Sequence, residues 1–322
     1  MDTWVETVLI ILLIIVLLIL FIKIYVIATM GRCTSTRQLN GKTVLITGAN
    51  SGIGKETAID LAGRGARIVL GCRNLKSAEK TKDEIIAQTG NDNIVIYPLD
   101  FESLESVRNF SKLIHENENR LDILINNAGA GGLGNRKTED GLHVGIQVNH
   151  FGPFLLTNLL LDLLKESAPS RIVTVASFMH VFARLDPNDL NKENNDLINY
   201  NNSKLCNILM SNELAEKLSG TNVISNSLHP GAVRTELYKN VRWYMWPIIK
   251  TQNVLFFKNS KQGAQTTIHC AVCEKVDGVT GKYYSDCKPK WTSSSAKNKE
   301  LSAKVWNESV KLVKLQPNEI HY

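Results

Sequence analysis

The chain has 322 residues, room for one large domain or two small ones. Apolar residues make up 43% and charged residues 21%, the balance of a globular protein, which excludes disordered, collagenous and low-complexity chains. The net charge is +6 with no Lys/Arg-rich run, so nothing marks a nucleic-acid surface, and six cysteines in this length make no disulfide framework.

The first thirty residues stand apart. Val8–Ile22 is apolar without a break, Lys23 interrupts, and the stretch continues to Ala28. At 1.5 Å per residue a helix over 8–28 covers about 31 Å, one hydrocarbon core, with Lys23 placed to snorkel at one end. A cleaved signal peptide wants a positive start, whereas the first seven residues carry Asp2 and Glu6 and no Lys or Arg. The run is apolar on every face, which also argues against a buried core helix. Lys23, Arg32, Arg37 and Lys42 all follow the apolar run and none precede it, so the rest of the chain is expected on the cytosolic side. The expected organisation is a membrane anchor in 1–30 and a single domain in 31–322.

From Gly41 onward, short β-rich runs alternate with helical patterns. The runs are 43–47, 67–72, 93–98, 121–126, 171–177 and 222–228, with 281–285 as a seventh. They are apolar throughout rather than alternating, the mark of parallel strands covered on both faces. Helices are expected at about 52–63, 76–89, 103–117, 140–165 and 200–219. This order predicts an α/β fold, a doubly wound parallel sheet of the Rossmann type with about seven strands, preceded by one transmembrane helix. Leu185–Asn199 and part of Arg234–Gly263 read as loops, and there is no internal repeat.

Thr47-Gly48-Ala49-Asn50-Ser51-Gly52-Ile53-Gly54 joins the first strand to the first helix. Glycines there let backbone approach a pyrophosphate, and the helix start supplies free N–H groups and positive dipole. The spacing is GxxxGxG. An acid at the end of the second strand would take a ribose 2′-hydroxyl. Gly71-Cys72-Arg73 has no acid and presents Arg73, and Lys55 follows the glycines. Each reads alone as a solvated cation. Together they favour a 2′-phosphate, hence NADP(H) over NAD(H).

Tyr200 and Lys204 stand at i, i+4 on one helix face. A nearby ammonium favours phenolate, which fits a tyrosine for proton transfer at neutral pH. Such pairs are common on any helix, but this one has company. Ser177 ends strand five, Asn126-Asn127-Ala128-Gly129 ends strand four, Asn149 lies in the next helix, and Pro230-Gly231 ends strand six with Thr235 beyond. All fall at the carboxyl edge, where open α/β sheets bind ligands.

The joint pattern TGxxxGIG, NNAG, N, S, YxxxK, PG resembles the short-chain dehydrogenase/reductase family. Gly71-Cys72-Arg73, Asn149–Thr157, Gly263–Thr266 and Ser285-Asp286-Cys287 look like its membrane-anchored microsomal NADP(H)-dependent retinol dehydrogenases, the retinal reductases. The resemblance implies an enzyme in which Tyr200 is general acid and Lys204 lowers its pKa and holds the nicotinamide ribose. Ser177 would hydrogen-bond the substrate oxygen and Asn149 would hold a relay water. Gly48, Ser51, Gly52, Ile53 and Gly54 would bind the pyrophosphate region. Asn127, in the Asn127-Ala128-Gly129 turn, would lie near the adenosine ribose and Asp100 at the adenine. Pro230, Gly231 and Thr235 would border the nicotinamide amide. It also implies the endoplasmic reticulum membrane and permits a homodimer. Two departures stand out: Val175-Ala176-Ser177 has one serine where the subgroup usually has two, and the Ser177–Tyr200 gap of 23 residues is slightly short for it. The sequon Asn201-Asn202-Ser203 overlaps the Tyr200–Lys204 motif, where a luminal glycan would cover the site.

Trp243–Ile249 is an aromatic and apolar stretch suited to a hydrophobic substrate, a membrane interface or ordinary core. The expected reaction interconverts a hydrophobic aldehyde or ketone and its alcohol, with all-trans-retinal and retinol foremost. Steroid, isoprenoid and lipid-peroxidation carbonyls stay open, as does a non-catalytic scaffold on this fold. His269-Cys270-Ala271-Val272-Cys273 lacks a second half at metal spacing, so no metal is expected.

Overall fold

A computed structural model describes residues 3–233 and 258–322. It begins with helix α1 (Thr3–Thr29), long and apolar enough to cross a membrane, with none of its most apolar stretch buried. This helix contains the whole expected 8–28 span.

The remaining elements alternate. They are β1 (Thr43–Thr47), α2 (Gly52–Gly63), β2 (Arg67–Cys72), α3 (Leu75–Thr89), β3 (Ile94–Pro98), α4 (Leu104–Asn117) and β4 (Ile123–Asn126). Then come α5 (Val144–Ile146), a π turn at Gln147–Phe151, α6 (Gly152–Leu159), α7 (Leu161–Glu166) and β5 (Ser170–Val175). A 3₁₀ turn (Phe178–Phe182) leads to α8 (Asp196–Lys217) and β6 (Val223–His229). The chain closes with α9 (Ser260–Val272), β7 (Tyr283–Ser285), β8 (Lys288–Pro289) and α10 (Lys299–Leu312).

The strands form one sheet in the order β3-β2-β1-β4-β5-β6-β7-β8, parallel as far as β7. β1 and β4 are buried along their whole length, as two covered faces require. One face packs α2, α3 and α9 through residues such as Ile46, Leu61, Ile85 and Ile268. The other packs α4, α6, α8 and α10 through Leu45, Phe110, Phe154, Leu209 and Trp306. The registers Ile46↔Ile125, Asn126↔Thr174 and Val175↔Leu228 bring the exits of β1, β4, β5 and β6 to one edge.

Several features depart from the sequence expectation. The helix expected at 140–165 is broken by the π turn, and by Leu160, whose φ of −109° and ψ of 6° leave the helical region. An eighth strand, β8, pairs antiparallel to β7 across Asp286 and Cys287, both at positive φ. Proline at its end is tolerated because this is an edge strand. Finally, α8 begins four residues before Tyr200, inside the expected loop, because the Asn195 side chain accepts from the Ile198 N–H at 2.9 Å. Such a cap is worth about 1 kcal/mol. Asn259 and Gln262 form a full capping box at the start of α9, a helix outside the expected set.

Candidate active site

The loop after β1 is shaped by close backbone approaches. Gly48 sits at φ +64°, and a Cβ there would lie 2.9 Å from Ala128 Cα. A Cβ on Gly54 would lie 2.5 Å from Asn127 Nδ2 and 2.7 Å from the Gly48 oxygen. These glycines let α2 close directly onto the loop and onto the turn after β4. Ser51 is the N-cap of α2 in extended backbone, and its side chain makes no capping hydrogen bond. Ser51 is exposed, Gly52 and Lys55 are half-buried, and Ile53 is buried in the core, which leaves only its backbone to face a ligand. A helix start with uncapped N–H groups behind a glycine loop fits a phosphate.

The turn after β4 is tied to this loop by Thr47. Its hydroxyl accepts from the Asn127 and Ala128 N–H groups at 3.1 and 3.0 Å. The Asn127 carboxamide donates to the Thr47 carbonyl at 2.9 Å. Thr47 opens the glycine motif, and its structural role is the cross-link that sequence reasoning assigned to no residue.

Arg73 and Lys55 lie on the β1–β3 side of the same edge, and both are paired. Arg73 Nη1 lies 2.7 Å from Glu102 Oε1 and 3.8 Å from Asp100 Oδ1. Arg136 takes the other Glu102 oxygen, and the two guanidiniums, Arg136 first, hold that carboxyl below its ordinary range. Lys55 Nζ lies 2.7 Å from Glu84. Asp100 is locked in a turn, its carboxylate accepting from the Glu102 N–H at 2.9 Å.

Across the sheet, Asn149 occupies the π turn, an irregularity that often accompanies function. Its carboxamide is committed at both ends to Ala130, accepting from the N–H and donating to the carbonyl at 2.8 Å each. Any water held at residue 149 therefore falls to its backbone. Ser177 is buried just past β5, and its hydroxyl accepts from the Met179 N–H at 3.2 Å. Tyr200 is half-buried on the second turn of α8. Lys204, one turn on, is buried; its ammonium donates to the Val175 carbonyl at 3.3 Å and lies 5.5 Å from the Tyr200 ring centroid. Burial pushes this lysine down to about 8. A Cβ on Gly129 would lie 3.0 Å from Lys204 Nζ and 3.1 Å from Asn149 Oδ1, so the β4 turn, the π turn and α8 converge at one point.

Pro230 is buried where β6 ends, and a Cβ on Gly231 would lie 2.8 Å from Lys258 Cε. Lys258, which is buried, in turn pairs with the half-buried Asp286 at 2.6 Å, an ion pair that no sequence pattern announced. His229 is pushed down to about 4, chiefly by burial and then by Lys258, so it is neutral. His180 takes a structural part: its Nδ1 meets the Ser177 carbonyl at 2.7 Å and its Nε2 accepts from the Ser293 N–H at 3.3 Å. A cavity of about 490 Å³ between α8, β7 and α10 lies on a flank of the sheet and holds none of these residues. Thr235 and the Trp243–Ile249 stretch fall outside the described residues.

Comparison with known proteins agrees with this architecture. The short chain dehydrogenase family matches residues 42–244. Retinol dehydrogenase 12 of Mus musculus is 43% identical over 290 residues, covering 89% of this chain and 90% of that protein. Retinol dehydrogenase 11 of Homo sapiens is 44% identical over 290 residues, covering 88% and 90%. Among solved structures, an uncharacterized protein from Mycobacterium paratuberculosis superposes with a TM-score of 0.71 at 29% identity, covering 88% of this chain and 98% of that one. The RhlG/NADP active-site complex of Pseudomonas aeruginosa shares the fold, with a TM-score of 0.61 at 23% identity, covering 76% and 94%. The chain belongs to the short-chain dehydrogenase/reductase family and is an oxidoreductase that uses a nicotinamide cofactor.

Proposed function

We propose that this protein is an NADP(H)-dependent reductase of hydrophobic aldehydes and ketones, with all-trans-retinal and its alcohol as the foremost pair. The observation that carries the chemistry is the convergence of Tyr200, Lys204, Asn149 and Gly129 beside the exit of β5, where Ser177 sits. The retinoid reading rests on the relatives named retinol dehydrogenase and on their coverage of most of both chains.

The residues present fit a dinucleotide. The cradle Gly48–Gly54 would hold its pyrophosphate through backbone N–H groups, with Ser51 at the helix start. Asn127 and the Ala128-Gly129 backbone would line the adenosine side. Arg73, with Lys55 nearby, would take the 2′-phosphate. That requires Arg73 to leave or share Glu102, and a phosphate carries more charge than that carboxylate. Pro230 and Gly231 would border the nicotinamide. Bound nicotinamide supplies the hydride.

The chain's own residues handle the proton. Ser177 Oγ and Tyr200 Oη hydrogen-bond the substrate carbonyl oxygen. Tyr200 gives up its phenolic proton as that oxygen gains charge. Lys204, itself buried and held on Val175, stabilises the phenolate left behind. Reprotonation runs from Lys204 and from a water on the backbone of the π turn at Asn149. Alcohol oxidation is the same path reversed.

In this reading residues 1–30 anchor the protein in the endoplasmic reticulum membrane, and residues 31–322 form one catalytic domain facing the cytosol, alone or as a homodimer. Membranes from cells expressing the full chain, assayed with NADPH or NADH on retinal and on steroid, isoprenoid and lipid-peroxidation carbonyls, test it. NADPH-dependent retinol formation is expected. Turnover confined to another carbonyl keeps the proton chemistry and removes the retinoid, and no turnover with any carbonyl removes both.

A further inference from the structure

We propose that the β5–β7 side of the sheet's carboxyl edge docks on the bilayer surface, so that the edge carrying Ser177 and Tyr200 faces the lipid. The proposal rests on the reading of α1 as a membrane anchor and adds which face of the domain the anchor holds down.

The path of the chain between anchor and sheet carries the inference. β1 starts at the amino edge, so an anchor joined straight to it would hang the domain from that edge. Residues Gly31–Lys42 instead run the length of α9. The Gly31 N–H donates to Asp286 Oδ1 at 3.2 Å, in the β7–β8 turn at the carboxyl edge. The Cys33 N–H donates to Gln265 Oε1 at 3.1 Å, within α9. The Ser35 hydroxyl reaches Glu274 at 2.9 Å, just past its end, and Lys42 Nζ meets Asp122 at 2.9 Å at the amino edge. Gly31 lies so tightly on Asp286 that a Cβ there would run into the Asp286 backbone carbonyl. Asp286 is itself fixed by Lys258. Thr29, the last residue of α1, is two residues from this clamp, so the anchor leaves the domain at the carboxyl edge.

The surface beside that exit has the composition of an interface with lipid. Phe178 and Phe182 are 51% and 56% exposed, stacked edge to face at 6.2 Å, directly after Ser177. Leu197, 59% exposed, stands three residues before Tyr200 on α8. Arg184, two residues after Phe182, and Arg32 and Lys288, next to the Gly31–Asp286 contact, are exposed. Exposed apolar side chains with cations along the same side of the edge suit acyl chains below and anionic headgroups above. The β1–β3 side of the same edge carries Lys55, Arg73, Glu84, Glu102 and Arg136 in ion pairs, a surface suited to water and to a polyanionic cofactor. A lipid-soluble carbonyl would then enter from the membrane while the dinucleotide enters from the aqueous side.

The test installs p-benzoylphenylalanine in the full chain, in place of Phe182 or Leu197, and as controls at the amino edge in place of Asn117 or Ser219. Each variant is reconstituted in vesicles of phosphatidylcholine and phosphatidylserine, washed in alkaline carbonate, irradiated and analysed by mass spectrometry. The expected result is carbonate-resistant protein with phospholipid adducts at 182 and 197 and none at 117 and 219. Protein that resists carbonate but gives no adduct at 182 and 197, equal adducts at all four positions, or crosslinks at 182 and 197 only to a second copy overturns the docking face and leaves the anchor standing. Protein released by carbonate overturns the anchor and the docking face together.

Discussion

The Lys204 ammonium donates to the Val175 carbonyl at 3.3 Å, which fastens the second and third turns of α8 to the last residue of β5. That contact sets Tyr200 beside the strand exit that carries Ser177. It also takes Lys204 out of water, and burial lowers its affinity for its proton to about 8.

The pH dependence of reduction should report that lysine. Its cationic form, present below about 8, is the form that stabilises a Tyr200 phenolate. As pH rises through about 8, kcat/KM for carbonyl reduction should fall. Lys204→Arg keeps its charge above that range and should remove the falling limb, at a lower absolute rate. A limb near 8 that persists in Lys204→Arg would assign it to another group.

Cofactor choice should depend on the Arg73–Glu102 contact of 2.7 Å. Arg73→Ala should weaken NADPH binding roughly tenfold or more, the worth of a charge-assisted hydrogen bond, and leave NADH binding nearly unchanged. Glu102→Ala frees the guanidinium and should tighten NADPH. Equal effects of Arg73→Ala on both dinucleotides, read by fluorescence titration, would remove Arg73 from the 2′-phosphate site.

Gly54→Ala should cost both stability and dinucleotide binding, because its Cβ would press on Asn127 Nδ2 at 2.5 Å and on the Gly48 carbonyl oxygen at 2.7 Å. A loss of roughly 1–3 kcal/mol in urea unfolding is expected, together with a large rise in NADPH Kd. Gly90→Ala is the control: its φ is +71° with open space around it, so it should lose some stability and keep cofactor affinity. Unchanged NADPH binding in Gly54→Ala would refute the cradle.

Acid should loosen the fold through His150. Its ring lies between Asn207 Oδ1 at 3.2 Å and Ser309 Oγ at 2.9 Å, joining the π turn to α8 and α10. Burial lowers it from 6.5 to about 4, so the folded ring is neutral where the unfolded one gains a proton. Stability is therefore full above about 6.5 and falls as pH drops toward 4, by roughly 3 kcal/mol from this group at the limit. The urea midpoint of the detergent-solubilised full chain should drop between pH 7 and 5, and less steeply in His150→Gln. Parallel profiles in the two proteins would place the acid sensitivity elsewhere.

Much of this was legible because it depends on local pattern. β1 and β2 are continuous apolar runs ended by Gly48 and Arg73, and their bounds, 43–47 and 67–72, read directly from the sequence. The glycine loop, the four-residue Tyr200–Lys204 spacing and the strand-end positions of Asn127 and Ser177 are likewise local. What was hidden depends on tertiary partners. The π turn at Asn149 accompanies a carboxamide committed at both ends to Ala130, 19 residues away. The Lys258–Asp286 pair joins residues 28 apart whose individual types say nothing. α9 contains Gly263, Thr266, Thr267 and Ile268, poor helix formers, and owes its start to the Asn259 box and its place to packing on α2. Arg73 was legible as a cation; its engagement by Glu102, 29 positions on, was not.

The most direct measurement is retinol formation from all-trans-retinal by the reconstituted full chain and its Tyr200→Phe variant, with NADPH binding titrated on both. The variant keeps the ring and loses the phenolic hydroxyl, and with it both the transferable proton and the hydrogen bond to the substrate oxygen. A fall in turnover of roughly 1,000-fold or more, with NADPH affinity unchanged, is the predicted result. Turnover by Tyr200→Phe close to that of the parent would contradict the assignment of proton transfer to this residue.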